Sequence, residues 1–191
     1  MRDLAIVFAR APRLGTVKRR LARSIGDRAA LRFHQAMLAA LLRRLASDRR
    51  FTTIIAATPD RARWRTRVPV VCQGHGDLGV RMARALARAR RALVVGCDIP
   101  GVTADDIAGA FRALGRADAA FGPAEDGGYW LVALGPRRPA APFAGVRWSS
   151  EHALADTLTN FSRHRVALLR PMRDVDTVAD LIATRPLLAR R

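Results

Sequence analysis

Apolar residues occur along the chain both as short continuous runs and as longer stretches that place them on one face of a helix. The runs predict buried strands over residues 4–9, 51–58, 68–72, 92–97, 119–122, 129–134 and 166–169. Helical spacing predicts helices over residues 27–47, 77–90, 103–115 and 149–160, and from residue 177 onward. Asp27 fits a helix N-cap, and Thr103 and Thr177 each begin the Thr-x-x-Asp pattern of a capping box.

Strands that alternate with helices predict an α/β fold of three layers, with a sheet between two layers of helices. Only six residues separate the strands that end at Gly122 and begin at Tyr129. A parallel crossover needs about a dozen residues or more, so these two strands are antiparallel or not adjacent. The sheet is therefore expected to be mixed but mostly parallel. No repeat or linker interrupts the pattern, which predicts a single domain over residues 1–191.

Composition limits the classes of protein that need consideration. The chain has 191 residues, 50% of them hydrophobic, and no apolar run approaches the roughly 20 residues of a membrane span. Two cysteines are too few for a disulfide framework or a zinc site, so we expect a cytoplasmic protein.

Charge is the most unusual property of the composition. The 34 Lys and Arg residues exceed the 16 acids, which favours anionic partners. These bases are spread along the chain, as on a solvated surface, and aromatic residues make up only 6%, which is thin for stacking on single-stranded nucleic acid. No specific nucleic acid is therefore expected. Lys18 is the only lysine.

Ligands of open α/β sheets bind beyond the carboxyl ends of the strands, and four such ends carry informative residues. The first strand leads into a basic glycine loop, residues 9–20, and the strand before Asp98 is followed by an Asp-x-Pro turn. Asp126 follows the fifth predicted strand, and Asp174 and Asp176 follow the last. Backbone N–H groups with basic side chains suit phosphates, and carboxylates suit Mg²⁺ or Mn²⁺. Together these residues favour a nucleotide site with a divalent cation.

Each of these stretches also has an ordinary structural interpretation. Asp98 fits a cap on a turn, Asp126 fits a tight turn, and the acids after the last strand fit a helix start. Residues 74–79 (GHGDLG) match the dinucleotide-binding pattern G-x-G-x-x-G, with Asp98 at a distance suited to a ribose contact. Pro69 lies in the strand before that motif and argues against NAD(P) binding.

Five stretches resemble, in order, the motifs of one bacterial family. They are residues 8–21 (FARAPRLGTVKRRL), 76–82 (GDLGVRM), 96–101 (GCDIPG), 122–129 (GPAEDGGY) and 174–181 (DVDTVADL). The chain resembles the DUF2064 proteins, whose members carry the labels "glycosyltransferase A" and selenodomain-associated transferase 1. The resemblance covers nearly the whole chain, and it assigns the glycines of residues 74–79 to a family loop instead of a dinucleotide site.

The resemblance implies the GT-A fold of nucleotide-diphospho-sugar transferases, similar to that of phospholactate guanylyltransferases and molybdenum-cofactor nucleotidyltransferases. It implies that Asp98 and Asp176 bind Mg²⁺ or Mn²⁺ and that Lys18, Asp98 and Asp126 are catalytic. It places Arg10, Pro12, Gly15, Lys18, Arg20, Gly76 and Gly79 at the nucleotide and its phosphates, and Asp126, Gly127, Gly128 and Tyr129 on the acceptor side.

The sequence thus predicts a metal-dependent transferase that uses a nucleoside triphosphate or a nucleotide-sugar and a small-molecule acceptor. Nucleotidyl and glycosyl transfer both remain open, with Lys18 and the cation expected to stabilise the leaving diphosphate. The alternative is a basic protein that binds nucleotides or RNA without catalysis. The two differ in that only the enzyme should require a divalent cation.

Overall fold

The computed structural model describes residues 2–189, which form seven strands and six helices. The strands are β1 (Asp3–Arg10), β2 (Phe51–Thr58), β3 (Val70–Cys72), β4 (Ala92–Gly96), β5 (Ala119–Pro123), β6 (Tyr129–Leu134) and β7 (Val166–Leu168). The helices are α1 (Arg19–Ile25), α2 (Asp27–Ala46), α3 (Leu78–Leu86), α4 (Ala104–Ala113), α5 (Ala153–Thr159) and α6 (Val178–Ala189). None of these helices combines the length and apolar character needed to cross a bilayer.

All seven strands join one mixed sheet in the order β3-β2-β1-β4-β6-β5-β7. Strand β6 runs antiparallel to both of its neighbours, and every other pairing is parallel. The prediction of a mixed sheet is confirmed, and the short β5–β6 connection is an antiparallel hairpin. The carboxyl ends of β1, β4, β5 and β7 therefore lie along the same edge of the sheet.

Helices cover both faces of the sheet, as the three-layer prediction requires. Helices α2 and α4 bury Leu41 and Phe111 on one face. On the other face α3 buries Leu86, and the end of α5 leads into the buried Phe161. Strands β1 and β4 are buried on both faces, which explains their continuous apolar runs.

Several predicted element boundaries are wrong. Asp27 is the first residue of α2 and not its cap, since Gly26 holds the N-cap position with φ +82°. Helix α1 went unpredicted because it has only seven residues, of which Leu21 alone is buried. Strand β3 begins two residues later than expected, and α3 and α5 are shorter than their apolar patterns suggested. The capping box at Thr103 is confirmed by hydrogen bonds in both directions between Thr103 and Asp106.

Candidate active site

Lys18 reaches the edge of the sheet because the loop after β1 is anchored on both sides of it. Val17 and Leu21 are buried in the core, 4% and 0% exposed. Lys18 lies between them in the left-handed conformation, with φ +48°, and forms the N-cap of α1. A left-handed conformation costs a residue with a Cβ roughly 1–2 kcal/mol, and such strain persists where surrounding contacts require it.

The segment between β7 and α6 passes the carboxyl ends of the strands and places Asp174 and Asp176 beside Asp98. The backbone of Met172 pairs with the start of the β5–β6 loop at Ala124, and Val175 N–H donates to the Asp98 carbonyl at 3.2 Å. Val175 is completely buried. The two acids that flank Val175 are therefore held beside Asp98.

The ammonium group of Lys18 joins two of these carboxylates. Lys18 Nζ donates to Asp98 Oδ2 at 2.7 Å and to Asp176 Oδ1 at 2.9 Å. Its side chain is only 6% exposed, whereas the carboxylates are 33% and 41% exposed. Burial alone would lower the pKa of Lys18, but attraction to Asp98 and Asp176 outweighs it, so the pKa is raised above its usual range and the amine stays charged.

The three acids Asp98, Asp174 and Asp176 form one cluster in which each can offer an oxygen within 4.8 Å of the others. Burial, followed by repulsion from Asp176 and Asp98, raises the pKa of Asp174 to about 6. Oxygen ligands of this kind suit a hard divalent cation such as Mg²⁺ or Mn²⁺. The cluster also binds a cation already, in the form of the Lys18 ammonium, so the residues present fit the expected metal.

A cleft of about 480 Å³ opens on one side of Asp98, and we call it the Lys18 cleft. Four basic side chains line it: Arg10, Lys18, Arg19 and Arg20. Buried His34 also lines the cleft and donates from Nε2 to the Arg10 carbonyl at 3.0 Å, since a carbonyl can only accept. Burial lowers the pKa of His34, so the ring is neutral near pH 7. The concentration of positive charge suits phosphate groups.

A second cleft, of about 240 Å³, opens on the other side of Asp98, and we call it the Asp126 cleft. Asp98 and Gly96 line both clefts. Asp126 lies in the β5–β6 loop, where its Oδ1 accepts from Gly128 N–H at 2.9 Å. Gly127 has φ +84°, and its carbonyl accepts from Leu154 N–H, which ties the loop to α5. Asp126, Gly128 and Tyr129 line this cleft and Gly127 does not, and the role of these four residues on the acceptor side stays a prediction.

Four of the residues predicted at the nucleotide are not among those that line the Lys18 cleft. Pro12 lines a separate cleft beside α2, and Gly15 lines a groove formed with α1. Gly76 and Gly79 allow close packing at the start of α3, because a Cβ at Gly76 would meet Val80 at 2.8 Å and one at Gly79 would meet Trp148 at the same distance. Contact of these four residues with a nucleotide stays a prediction.

The structure adds to the site one acid that was noted after the last strand without being assigned as a metal ligand, and two residues that had no assigned role. Asp174 completes the acid cluster, although only Asp98 and Asp176 were expected as metal ligands. Trp148 and Ser149 line the Asp126 cleft, and Ser149 has φ +60° outside the helix predicted to begin there. The family motif around residues 174–181 was the available signal for Asp174. No local pattern marks Trp148.

The fold is that of an α/β domain of the nucleotide-diphospho-sugar transferase type, since a solved structure of that class shares it with a TM-score of 0.89. The model of the family described as "Uncharacterized protein conserved in bacteria (DUF2064)" matches residues 37–150. The protein is therefore a member of the DUF2064 family. The matched region includes Asp98 and Asp126 and ends before Asp174 and Asp176.

Solved structures share this fold. The chain is 28% identical to a "putative nucleotide-diphospho-sugar transferase" from Desulfovibrio desulfuricans G20, with a TM-score of 0.89 over 97% of this chain and 88% of that chain. It is 18% identical to 2-C-methyl-D-erythritol 4-phosphate cytidylyltransferase from Thermus thermophilus, with a TM-score of 0.58 over the full length of both.

A third structure, Rv0371c in complex with manganese from Mycobacterium tuberculosis H37Rv, is 19% identical, with a TM-score of 0.55 over 99% of each chain. Similarity at the level of the last two structures shows the fold alone. A search of curated proteins finds no match.

Proposed function

We propose that the protein is a metal-dependent transferase that moves a nucleotidyl or glycosyl group from a nucleoside triphosphate or nucleotide-sugar to a small acceptor. The observation that carries the proposal is the Lys18 ammonium bonded to Asp98 and Asp176 where the two clefts meet. A basic cleft for phosphates lies on one side and a cleft for a second substrate on the other. The likeness to a nucleotide-diphospho-sugar transferase and to a cytidylyltransferase supports this class of reaction.

Asp98, Asp174 and Asp176 would hold the cation, which when bound supplies positive charge to the phosphate oxygens. Lys18 and the arginines of the Lys18 cleft would hold the diphosphate and stabilise the charge that develops on it as it leaves. The acceptor oxygen would form the new bond, to phosphorus or to the anomeric carbon, while the bond to the leaving phosphate breaks. When the acceptor is a hydroxyl, its proton would pass to the carboxylate of Asp126 and then to solvent.

Thermal-shift titration tests this proposal. The panel contains ATP, GTP, CTP, UTP, UDP-glucose and GDP-mannose, each with Mg²⁺, Mn²⁺ or EDTA. A ligand that binds only the native state raises the melting temperature. We expect a metal-dependent shift with at least one nucleotide, and its identity would separate nucleotidyl from glycosyl transfer.

Asp98→Asn should abolish the metal-dependent shift because it removes a central carboxylate of the cluster. The matched control is Asp105→Asn, the same change at a side chain that is 82% exposed and pairs with Arg50 on the surface. Binding that persists in EDTA, ignores Asp98→Asn and weakens steeply with salt would instead identify a non-catalytic nucleotide- or RNA-binding protein.

A further inference from the structure

The charged side chains that line the two clefts have opposite signs. Among the described residues, three arginines, Lys18 and two acids, Asp98 and Asp176, line the Lys18 cleft, so positive charge is in excess there. In the described part of the chain, every charged side chain that lines the Asp126 cleft is a carboxylate: Asp98, Asp126 and Asp174. Three acids thus lie in one cleft of a protein in which 34 bases outnumber 16 acids. The Asp126 cleft is therefore negative within a strongly positive protein.

The arginines next to the Asp126 cleft are held by other acids. Arg147 precedes Trp148 in the chain, and its guanidinium donates to both carboxylate oxygens of Asp156, at 2.9 and 2.8 Å. Arg173 precedes Asp174, and its Nε donates to Glu125 at 2.6 Å. Both guanidinium groups are therefore occupied, and in the described part of the chain Asp126 and Asp174 have no ion-pair partner, while Asp98 is paired with Lys18.

Aromatic rings also line the Asp126 cleft. Tyr129 and Trp148 stand edge to face, with centroids 6.4 Å apart, and both line the cleft. Burial raises the pKa of the Tyr129 phenol, which lies 3.4 Å from the Thr157 hydroxyl, so Tyr129 supplies an apolar face and no charge. Ser149 and Ser150 add hydroxyls at the rim. Aromatic faces beside carboxylates suit uncharged polyols and cationic groups and repel anions.

We propose that the acceptor is an uncharged or cationic hydroxyl compound, and that the Asp126 cleft excludes phosphorylated and carboxylated acceptors. This inference rests on the proposed transferase function, because it identifies the acceptor class of that site. A divalent cation at the acid cluster does not reverse the sign of the charge here, since the four carboxylates Asp98, Asp126, Asp174 and Asp176 still outnumber the charges of the cation and of the Lys18 ammonium by one.

The test compares matched pairs of probes that differ by one phosphate: glycerol and glycerol 3-phosphate, glucose and glucose 6-phosphate, and choline and phosphocholine. Binding is measured by saturation-transfer NMR on the full chain with Mg²⁺ and without nucleotide. We expect saturation of the unphosphorylated members, and its loss in Trp148→Ala. The control Trp64→Ala should retain it, because Trp64 lines a separate cleft beside α2.

A second variant that reverses a charge keeps the proposal testable if Trp148→Ala fails to fold. Asp126 is exposed, so Asp126→Lys should fold, and it should shift the preference toward the phosphorylated members by about tenfold, the ratio that corresponds to about 1.4 kcal/mol. The proposal would be overturned by saturation of phosphorylated members that Trp148→Ala removes, by saturation of no member, or by saturation of unphosphorylated members that Trp148→Ala retains; phosphorylated probes held in the Lys18 cleft would be unaffected by Trp148→Ala. The nucleotide titration is separate, so its failure would count against the transferase function and not against the chemistry of this cleft.

Discussion

Lys18 neutralises the acid cluster when no metal is bound, so Lys18→Met should destabilise the metal-free protein. Methionine keeps an unbranched apolar side chain, one atom shorter than that of lysine, and removes the ammonium group with its charge and its donors. Lys18 Nζ now lies 2.7 Å from Asp98 and 2.9 Å from Asp176. In the variant no ammonium group would separate these two carboxylates from each other or from Asp174. Repulsion among the three carboxylates would no longer be offset.

The expected loss lies between the values for buried and exposed ion pairs. Removing one partner of a fully buried pair costs about 3–5 kcal/mol, and exposed pairs contribute about 0–1 kcal/mol. Lys18 is 6% exposed, but its partners are 33% and 41% exposed, so water compensates part of the loss. We expect about 2 kcal/mol, which corresponds to a decrease of about 4–8 °C in the melting temperature for a chain of this size.

Differential scanning fluorimetry in EDTA measures this decrease. The control is Arg20→Met, which removes a charge 3.8 Å from Asp176 on a side chain that is 72% exposed and should change stability little. Adding Mn²⁺ should raise the melting temperature of Lys18→Met more than that of the wild type, because the ion replaces the missing charge and has no ammonium to displace. Equal melting of Lys18→Met and wild type in EDTA would refute the argument that Lys18 neutralises the cluster.

Three further predictions follow from local geometry. Gly127→Ala should cost about 2–4 kcal/mol in urea unfolding, since a Cβ there adds a clash with the backbone of residue 151 to the strain of φ +84°, whereas Gly145→Ala, with φ +69° and open space, should cost only about 1–2 kcal/mol. Burial opposes the charge of Asp106, but the hydrogen bonds from Arg170 and Thr103 together with the charge of Arg170 outweigh this and lower its pKa. The ionised Asp106 therefore stabilises the fold fully above its unfolded-state pKa, and this stabilisation is lost as the pH falls through the lower folded-state pKa. Asp106→Asn should flatten the dependence of the free energy of unfolding in urea on pH between these two pKa values. Burial raises the pKa of the Cys97 thiol to about 12, so a thiol reagent should label only the exposed cysteine until denaturant is added.

Much of the fold could be predicted because buried strands are visible in the sequence as apolar runs. Central strands β1 and β4 carry continuous apolar runs over residues 4–9 and 92–95, since both of their faces are covered. The six residues between β5 and β6 required an antiparallel pair or separated strands. Helix boundaries were less predictable. Helix α1 buries only Leu21, and its start depends on Lys18, whose left-handed conformation follows from contacts with acids 80 and 158 positions away.

The candidate site, like the fold, could be predicted only in part. The rule that ligands bind beyond strand ends selected the loops that the structure brings together, because parallel strands end at one edge. The walls of the Asp126 cleft could not be found this way, since Trp148 lies in an irregular segment after β6. It is positioned by the rings of Tyr129 and Phe143 and by the missing side chain of Gly79. These contacts depend on how distant segments meet, and no spacing of residue types records them.

The distribution of charge explains why a strongly basic chain need not be a nucleic-acid-binding protein. Four of its 16 acids, Asp98, Asp126, Asp174 and Asp176, line the two clefts at one edge of the sheet, while the bases are spread along the chain. In the proposed function, the wider positive field would attract polyphosphates, and the acids would attract the divalent cation that accompanies them. Opposite charges then meet at Asp98, which lies between the clefts. A nucleotide–metal complex fits both signs at this edge, whereas an extended phosphate backbone would have to pass the acids without a metal to neutralise them.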